Sequence, residues 1–142
     1  MSLISLSTSS AENALNYRGL LVLSELVNLG TIDGLHNYNL PVINVNGIDE
    51  QIPDEVNRLI DYMHTFDQFI FTVPEFTGMM SASTKNLLDW LVVATNMNLD
   101  HGKGYPFSDK HTMIFTFTPS GSEGGGRHCL LYTSPSPRDS DS

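Results

Sequence analysis

Three short stretches of this sequence carry residues suited to holding a ligand: "STSSAEN" from Ser7 to Asn13, "PEFTG" from Pro74 to Gly78, and "PSGSEGGG" from Pro119 to Gly126. The first sets four consecutive hydroxyls ahead of a helical pattern. Hydroxyls and free backbone N–H groups at a helix start make a site for phosphate. The same residues also fit a plain S-x-x-E capping box, Ser9 with Glu12, and Glu12 is unfavourable beside a phosphate. In the second stretch, Pro74 cannot donate to a sheet ladder, so pairing stops there. Thr77 and Gly78 let the backbone turn closely, so its amides can face a planar ligand while Phe76 packs on a ring edge. The bland reading is a strand-to-helix turn with Glu75 as a solvated carboxylate. The third stretch, with Ser120, Gly121 and Gly124, permits close backbone approach to a ligand. It equally describes a flexible surface loop. It lacks the G-x-G-x-x-G spacing of a dinucleotide fingerprint.

Each stretch follows a strand-like run. Residues 3–7, "LISLS", read as a first strand, and residues 11–29 as a helix with Ala11, Leu15, Val22, Leu23, Leu26 and Val27 near helical spacing. Gly30 stands where a C′ glycine would end that helix. Residues 31–35 form a weak edge strand and the Asn- and Gly-rich segment after them a loop. Pro53 opens a second helix, with Asp54 and Glu55 in its first turn and Val56, Leu59, Ile60 and Met63 as its buried stripe. Residues 67–73, "DQFIFTV", a nearly continuous apolar run with β-formers, suit a strand covered on both faces. A third helix over 83–96 turns Leu87, Leu88, Leu91 and Val92 inward, and a fourth strand runs over 111–118. This alternation predicts an α/β fold, a parallel sheet with helices on both faces. Ligands bind such sheets beyond the carboxyl ends of the strands, where all three stretches lie.

Composition narrows the function. The 142 residues carry 16% charged residues and a net charge of −9, which argues against a nucleic-acid partner, since binding one needs clustered Lys and Arg. No apolar run approaches the ~20 residues that span a bilayer, and the N-terminus does not read as a secretory signal, so a cytoplasmic location is expected. The five histidines show no metal-ligand spacing and the single Cys129 makes no internal disulfide. Trp90, Leu87 and Leu91 read as core, Lys85 as surface or interface, and Met79 and Met80 as gap-filling side chains.

The end of the chain reads differently. Cys129 to Asp139, "CLLYTSPSPRD", matches the translation of a transposon-type sequencing adapter at every residue. The expectation is a ligand-binding domain over residues 1–128 and a non-native, disordered Ser/Pro tail over 129–142.

The stretch "VPEFTGMMSASTKNLLDWL" resembles the signature of the NADPH-dependent FMN reductase family, flavodoxin-like proteins whose pattern reads P-E-Y-N-x-S-x-P-G-x-L-K-N-A-x-D-W. Pro74, Glu75, Phe76 for Tyr, Thr77 for Asn, and Gly78 match its first half. Lys85, Asn86, Asp89 and Trp90 match its second. The family's first loop, S-x-S-x-R-x-x-S-x-N, holds the FMN phosphate; Ser7, Ser9 and Asn16 match it, Ala11 stands for the Arg and Ala14 for the later Ser, and Ser10 and Asn13 are placed to compensate. The resemblance extends from Ser7 to about Arg127. It implies a flavodoxin-like three-layer sandwich, FMN as cofactor, NAD(P)H as co-substrate, and a quinone, free flavin or similar small molecule as acceptor. It implies Pro74–Gly78 at the isoalloxazine edge, Ser120, Gly121 and Gly124 against the flavin, and no catalytic side chain. It further implies a homodimer in the full-length form and a last strand and helices that are missing here, leaving this chain less stable and prone to aggregate. The alternatives are a flavodoxin-type electron carrier, which the acidic surface favours, and a truncated fragment with little activity. The Lys85-Asn86…Asp89-Trp90 segment favours the reductase.

Overall fold

A computed structural model describes residues 1–44, 52–97 and 104–119. The elements are β1 (Leu3–Ser7), α1 (Leu15–Ser24), β2 (Thr31–Gly34), a single 3-10 turn (Leu35–Asn37), α2 (Asp54–His64), β3 (Gln68–Thr72), β4 (Glu75–Phe76), β5 (Met79–Met80), α3 (Ala82–Met97) and β6 (His111–Phe115). The main sheet is parallel, in the order β2-β1-β3-β6. This is the expected α/β architecture with its helices in two layers.

The two faces of the sheet differ in chemistry. On one, Ile4 and Leu6 of β1 and Phe69 and Phe71 of β3 pack against Leu59 and Met63 of α2 and Leu87 and Leu91 of α3. Full burial of each such side chain stabilises by about 1.5–3 kcal/mol, so this layer holds most of the fold together. The other face is mixed: the row through Ser5 also holds Ile32, Ile70 and Met113, and the row through Ser7 holds Thr72 and Phe115. Ser5 and Ser7 alternate with the apolar residues of β1, and Ser5 Oγ donates to the Leu29 carbonyl at 2.8 Å. There α1 lies across the sheet and buries Asn16 and Leu20.

Helix α2 follows its sequence closely. Pro53 is the N-cap, its carbonyl accepting from the Val56 and Asn57 N–H groups, and Asp54 and Glu55 sit in the first turn, where carboxylates favour the helix dipole. Val56, Leu59 and Met63 are buried and Ile60 half-buried.

Helix α1 departs from expectation. It starts at Leu15 rather than Ala11: the Thr8 N–H is bonded to the Thr72 carbonyl, and Ala11 to Ala14 close a separate turn through the Ala14 N–H and the Ala11 carbonyl. Ala14 is its N-cap with no side-chain bond, and Ser9 Oγ accepts the Ala11 N–H at 3.2 Å, so Ser9 and Glu12 do not form the capping box. The helix ends at Ser24, so Gly30 is not its C′ residue. Gly30 has φ +66° just before β2, where a Cβ would collide with the Leu3 carbonyl. The expected apolar stripe is largely outward: Leu15, Val22, Leu26 and Val27 are exposed, and Asn16 and Leu20 are the buried residues of the helix. The fourth strand ends at Phe115, short of Thr118. No strand pairs with its outer edge among the described residues.

The largest difference lies at residues 74–81. The expected strand-to-helix turn is a small antiparallel hairpin, Glu75 opposite Met80 and Phe76 opposite Met79. Its two-residue turn is Thr77-Gly78, with φ +51° and +74°. Two positive φ values in succession are the pattern of a type I′ turn, whose twist matches that of the strands it joins.

Candidate functional site

The carboxyl ends of three neighbouring strands are level. Ser7, Thr72 and Phe115 lie in one register row across β1, β3 and β6, so the segments leaving them start side by side. Backbone and side-chain bonds then stitch those segments together. The Thr8 N–H donates to the Thr72 carbonyl at 2.9 Å, and the Val73 N–H to the Phe115 carbonyl at 2.9 Å. Thr116 Oγ1 donates to the Val73 carbonyl at 2.7 Å.

The first loop combines buried and open hydroxyls. Ser7, Thr8 and Ser9 are buried and Ser10 is exposed. Ser7 is 0% exposed, and its Oγ has no hydrogen-bond partner among the described residues. An unpaired buried hydroxyl costs about 1–3 kcal/mol, so Ser7 is a locally unfavourable position at the end of β1. Asn16 is buried too, and its amide is engaged by backbone: Oδ1 accepts the Phe117 N–H at 3.0 Å, and Nδ2 donates to the Phe117 carbonyl at 3.4 Å. Asn16 therefore fixes the start of the segment after β6.

Beside this loop, at the end of β2, a polar groove of about 780 Å³ runs past Ser10, His36, Tyr38, Glu55 and Arg58. Arg58 is pre-set there: it pairs with Glu55 at 2.8 Å, donates to the Asn37 carbonyl and lies 4.5 Å from the Tyr38 ring centre. The hydrogen bond from Arg58 holds the Glu55 carboxyl below the usual carboxylate range. Burial, then the hydrogen bond to Asp33 at 2.6 Å, pushes the Tyr38 phenol above its usual range.

The second loop is the β4–β5 hairpin. Pro74 is buried at its base, where its carbonyl accepts the Ser81 N–H at 3.0 Å. Glu75 and Gly78 are half-buried, Thr77 is exposed, and Phe76 is 64% exposed at the tip. The hairpin thus offers an apolar ring and a tight turn over the rim. Thr77 is a β-branched residue at positive φ, a conformation uncommon outside tight turns and strained sites. Ser120, Gly121 and Gly124 lie outside the described residues, as does the tail from Cys129.

The sequence reading missed a cluster of hydroxyls behind the rim. Thr8 Oγ1 lies 2.6 Å from Thr84 Oγ1, which lies 2.9 Å from Ser81 Oγ. Ser81 Oγ is 2.9 Å from Ser83 Oγ, and Ser83 Oγ donates to the Thr8 carbonyl at 2.7 Å. The signal for it was present in "SAST": Ser81 is the residue before α3, and its Oγ accepts the Thr84 N–H in the manner of an N-cap. Asn86 and Trp90 prove structural. Both donate to the Pro41 carbonyl, at 3.0 and 2.7 Å, and Asn86 Oδ1 accepts the Ile43 N–H. Lys85 pairs with Asp89 one turn along the exposed side of the helix.

Among the described residues no group of three or more His, Cys, Asp or Glu is placed to hold a metal ion, and no helix is long and apolar enough to cross a membrane. Comparison with known proteins places this geometry in context. The family model for NADPH-dependent FMN reductase matches residues 1–134. The solved structure of FerB, a flavoenzyme NAD(P)H:(acceptor) oxidoreductase from Paracoccus denitrificans, is similar with a TM-score of 0.68 at 22% identity, over 92% of this chain and 71% of that one. An uncharacterized protein of Mycoplasma pneumoniae, the MG342 homolog, is 24% identical over 125 residues, 88% of this chain and 72% of that protein.

Proposed function

Since the chain belongs to the NADPH-dependent FMN reductase family, we propose that it passes reducing equivalents from NAD(P)H through FMN to a small acceptor, a quinone or a free flavin. The family makes it a flavin-dependent NAD(P)H oxidoreductase. Bound FMN would supply the hydride-accepting centre, and the protein's part is binding and orientation.

The residues present suit that cofactor. Ser7, Ser9 and Ser10 supply hydroxyls for its phosphate, and the level strand ends, which start the first loop beside the hairpin, are the observation that carries this reading. Ala11 supplies no charge where the family pattern has Arg, so neutral hydroxyls and backbone N–H groups hold the phosphate. Pro74, Glu75, Phe76, Thr77 and Gly78 cover the ring edge, with the exposed Phe76 as the apolar surface that a ring would bury. Asn16 acts through Phe117, fixing the direction of the segment that leads to Ser120, Gly121 and Gly124. No side chain is needed as a general acid or base.

The test is a titration of purified apoprotein with FMN, read by quenching of flavin fluorescence, followed by NADH and NADPH oxidation with a quinone and with free flavin as acceptors. Saturable quenching and acceptor-dependent oxidation are expected. Quenching without nucleotide oxidation would make the protein an electron carrier. No quenching at all would defeat the assignment of these loops. Sedimentation of the same sample decides whether the homodimer forms.

A further inference from the structure

The hydroxyl cluster behind the rim joins two segments that are distant in sequence. Thr8 belongs to the first loop, and Thr84 lies 76 residues away in the first turn of α3. Ser81 connects this cluster to the hairpin, because its N–H closes the hairpin base on the Pro74 carbonyl. There are two separate links between the loop and the helix. One is Thr84 Oγ1 to Thr8 Oγ1; the other is Ser83 Oγ to the Thr8 carbonyl. Thr8, Ser81 and Thr84 are buried, so water does not compete for these bonds.

The four hydroxyls can form one closed, one-way chain. Thr8 Oγ1 can donate to Thr84, Thr84 to Ser81 and Ser81 to Ser83, and Ser83 donates to the Thr8 carbonyl. The Thr72 carbonyl, also within reach of Thr8 Oγ1, already accepts the Thr8 N–H. A buried chain whose every member is paired holds its members close. The family pattern has proline at the position of Ser81 and leucine at that of Thr84, so the ring is a feature of this chain.

We propose that Thr8, Ser81, Ser83 and Thr84 are positioning residues that fix the distance between the first loop and the hairpin, so that the two ends of one ligand bind as a unit. The proposal rests on the flavin reading above. A ligand held at both ends gains from the effective concentration of its second end at the second half-site, and that concentration falls as the spacing of the half-sites broadens. Loosening the ring therefore weakens a two-ended ligand selectively. It leaves ligands that occupy only one half-site almost unchanged.

The experiment compares FMN, riboflavin and inorganic phosphate as ligands of the wild type and of the double variant Ser83→Ala with Thr84→Val, which cuts both links while keeping the volume of Thr84. FMN affinity is expected to fall by about 10-fold or more, with riboflavin and phosphate changing by less than about 3-fold. Thr84→Ser, which keeps the hydroxyl, should bind FMN as the wild type does. Ser83→Ala alone, which leaves the buried Thr84 untouched, should show the same selectivity at smaller size if the double variant folds poorly. Equal losses for FMN and riboflavin, or no loss of FMN, would overturn the proposal. Amide exchange of the apoproteins gives a ligand-free reading. The double variant should exchange faster in residues 8–14 and 75–84 together, and acceleration in one segment alone would overturn it. If the wild type binds no flavin, the flavin reading fails by itself, and the exchange result still decides whether the two segments are coupled.

Discussion

Asn16 and Phe117 are 101 positions apart, yet the side-chain amide of the first bonds both the N–H and the carbonyl of the second. Asparagine here acts as a one-residue strand. It pairs with the backbone just beyond the point where β6 stops. We expect Asn16→Ala to destabilise the protein by about 1–3 kcal/mol, since it removes two bonds at a buried site. Asn16→Asp should not restore stability, because its carboxylate would face the Phe117 carbonyl. Urea unfolding at constant m-value measures both; a wild-type midpoint for Asn16→Asp would show that the amide donor contributes nothing.

Thr77 sits at φ +51° in the hairpin turn. Asn tolerates that region much better than a β-branched residue. Thr77→Asn should therefore stabilise by up to about 1 kcal/mol, and Thr77→Val should not. An unchanged or lowered denaturation midpoint for Thr77→Asn would mean that the threonine side chain compensates for its backbone.

The Pro41 carbonyl accepts from both Asn86 and Trp90. Each donor can cover in part for the other. Trp90→Phe and Asn86→Ala should each be tolerated better than their combination suggests. A double-mutant cycle should return a coupling of about 0.5–1.5 kcal/mol. Additive effects would mean that the two bonds act independently on the segment around Pro41.

Tyr38 gives a pH signature. Its phenol is pushed up by burial and by the hydrogen bond to Asp33. In the unfolded chain it ionises near pH 10, about the ordinary value, whereas in the folded protein it stays protonated beyond that. Its contribution to stability is complete below about pH 10 and declines as the pH rises further, because the unfolded state then loses a proton that the folded state keeps. Tyr38→Phe should flatten that alkaline decline relative to wild type. Identical slopes in the two proteins would locate the loss in other groups.

Much of the architecture was legible from periodicity. The apolar run within 67–73 and the 3.6-residue spacing of Val56, Leu59 and Met63 each report burial directly; α2 and the four strands of the main sheet lie at the expected places, with the fourth strand ending three residues early. Helix α1 departs from its pattern: Leu15, Val22 and Leu26 repeat at helical spacing, but Asn16 and Leu20 are the residues buried. A pattern shows that a face is apolar; it does not show what stands opposite. The hairpin was hidden because Thr77-Gly78 is not among the usual two-residue turn pairs, and Thr at positive φ has no propensity signal. At the site, the types of residues were readable and their connections were not. Nothing in the sequence indicates that Thr8 meets Thr84 or that Asn16 meets Phe117, since long-range pairing depends on strand order. The hydroxyl type of Ser7 is plain in the sequence; its burial without a partner among the described residues is visible only in the structure.

Because Ser7, Thr72 and Phe115 terminate their strands in a single row, the parts above and below that row are separable for engineering. Chimeras cut at these three positions would exchange whole loops between homologous scaffolds without altering the pleat phase beneath. A one-residue insertion within β3, by contrast, would reverse which side chains face each layer and lift the hairpin by about 3.3 Å relative to its neighbours.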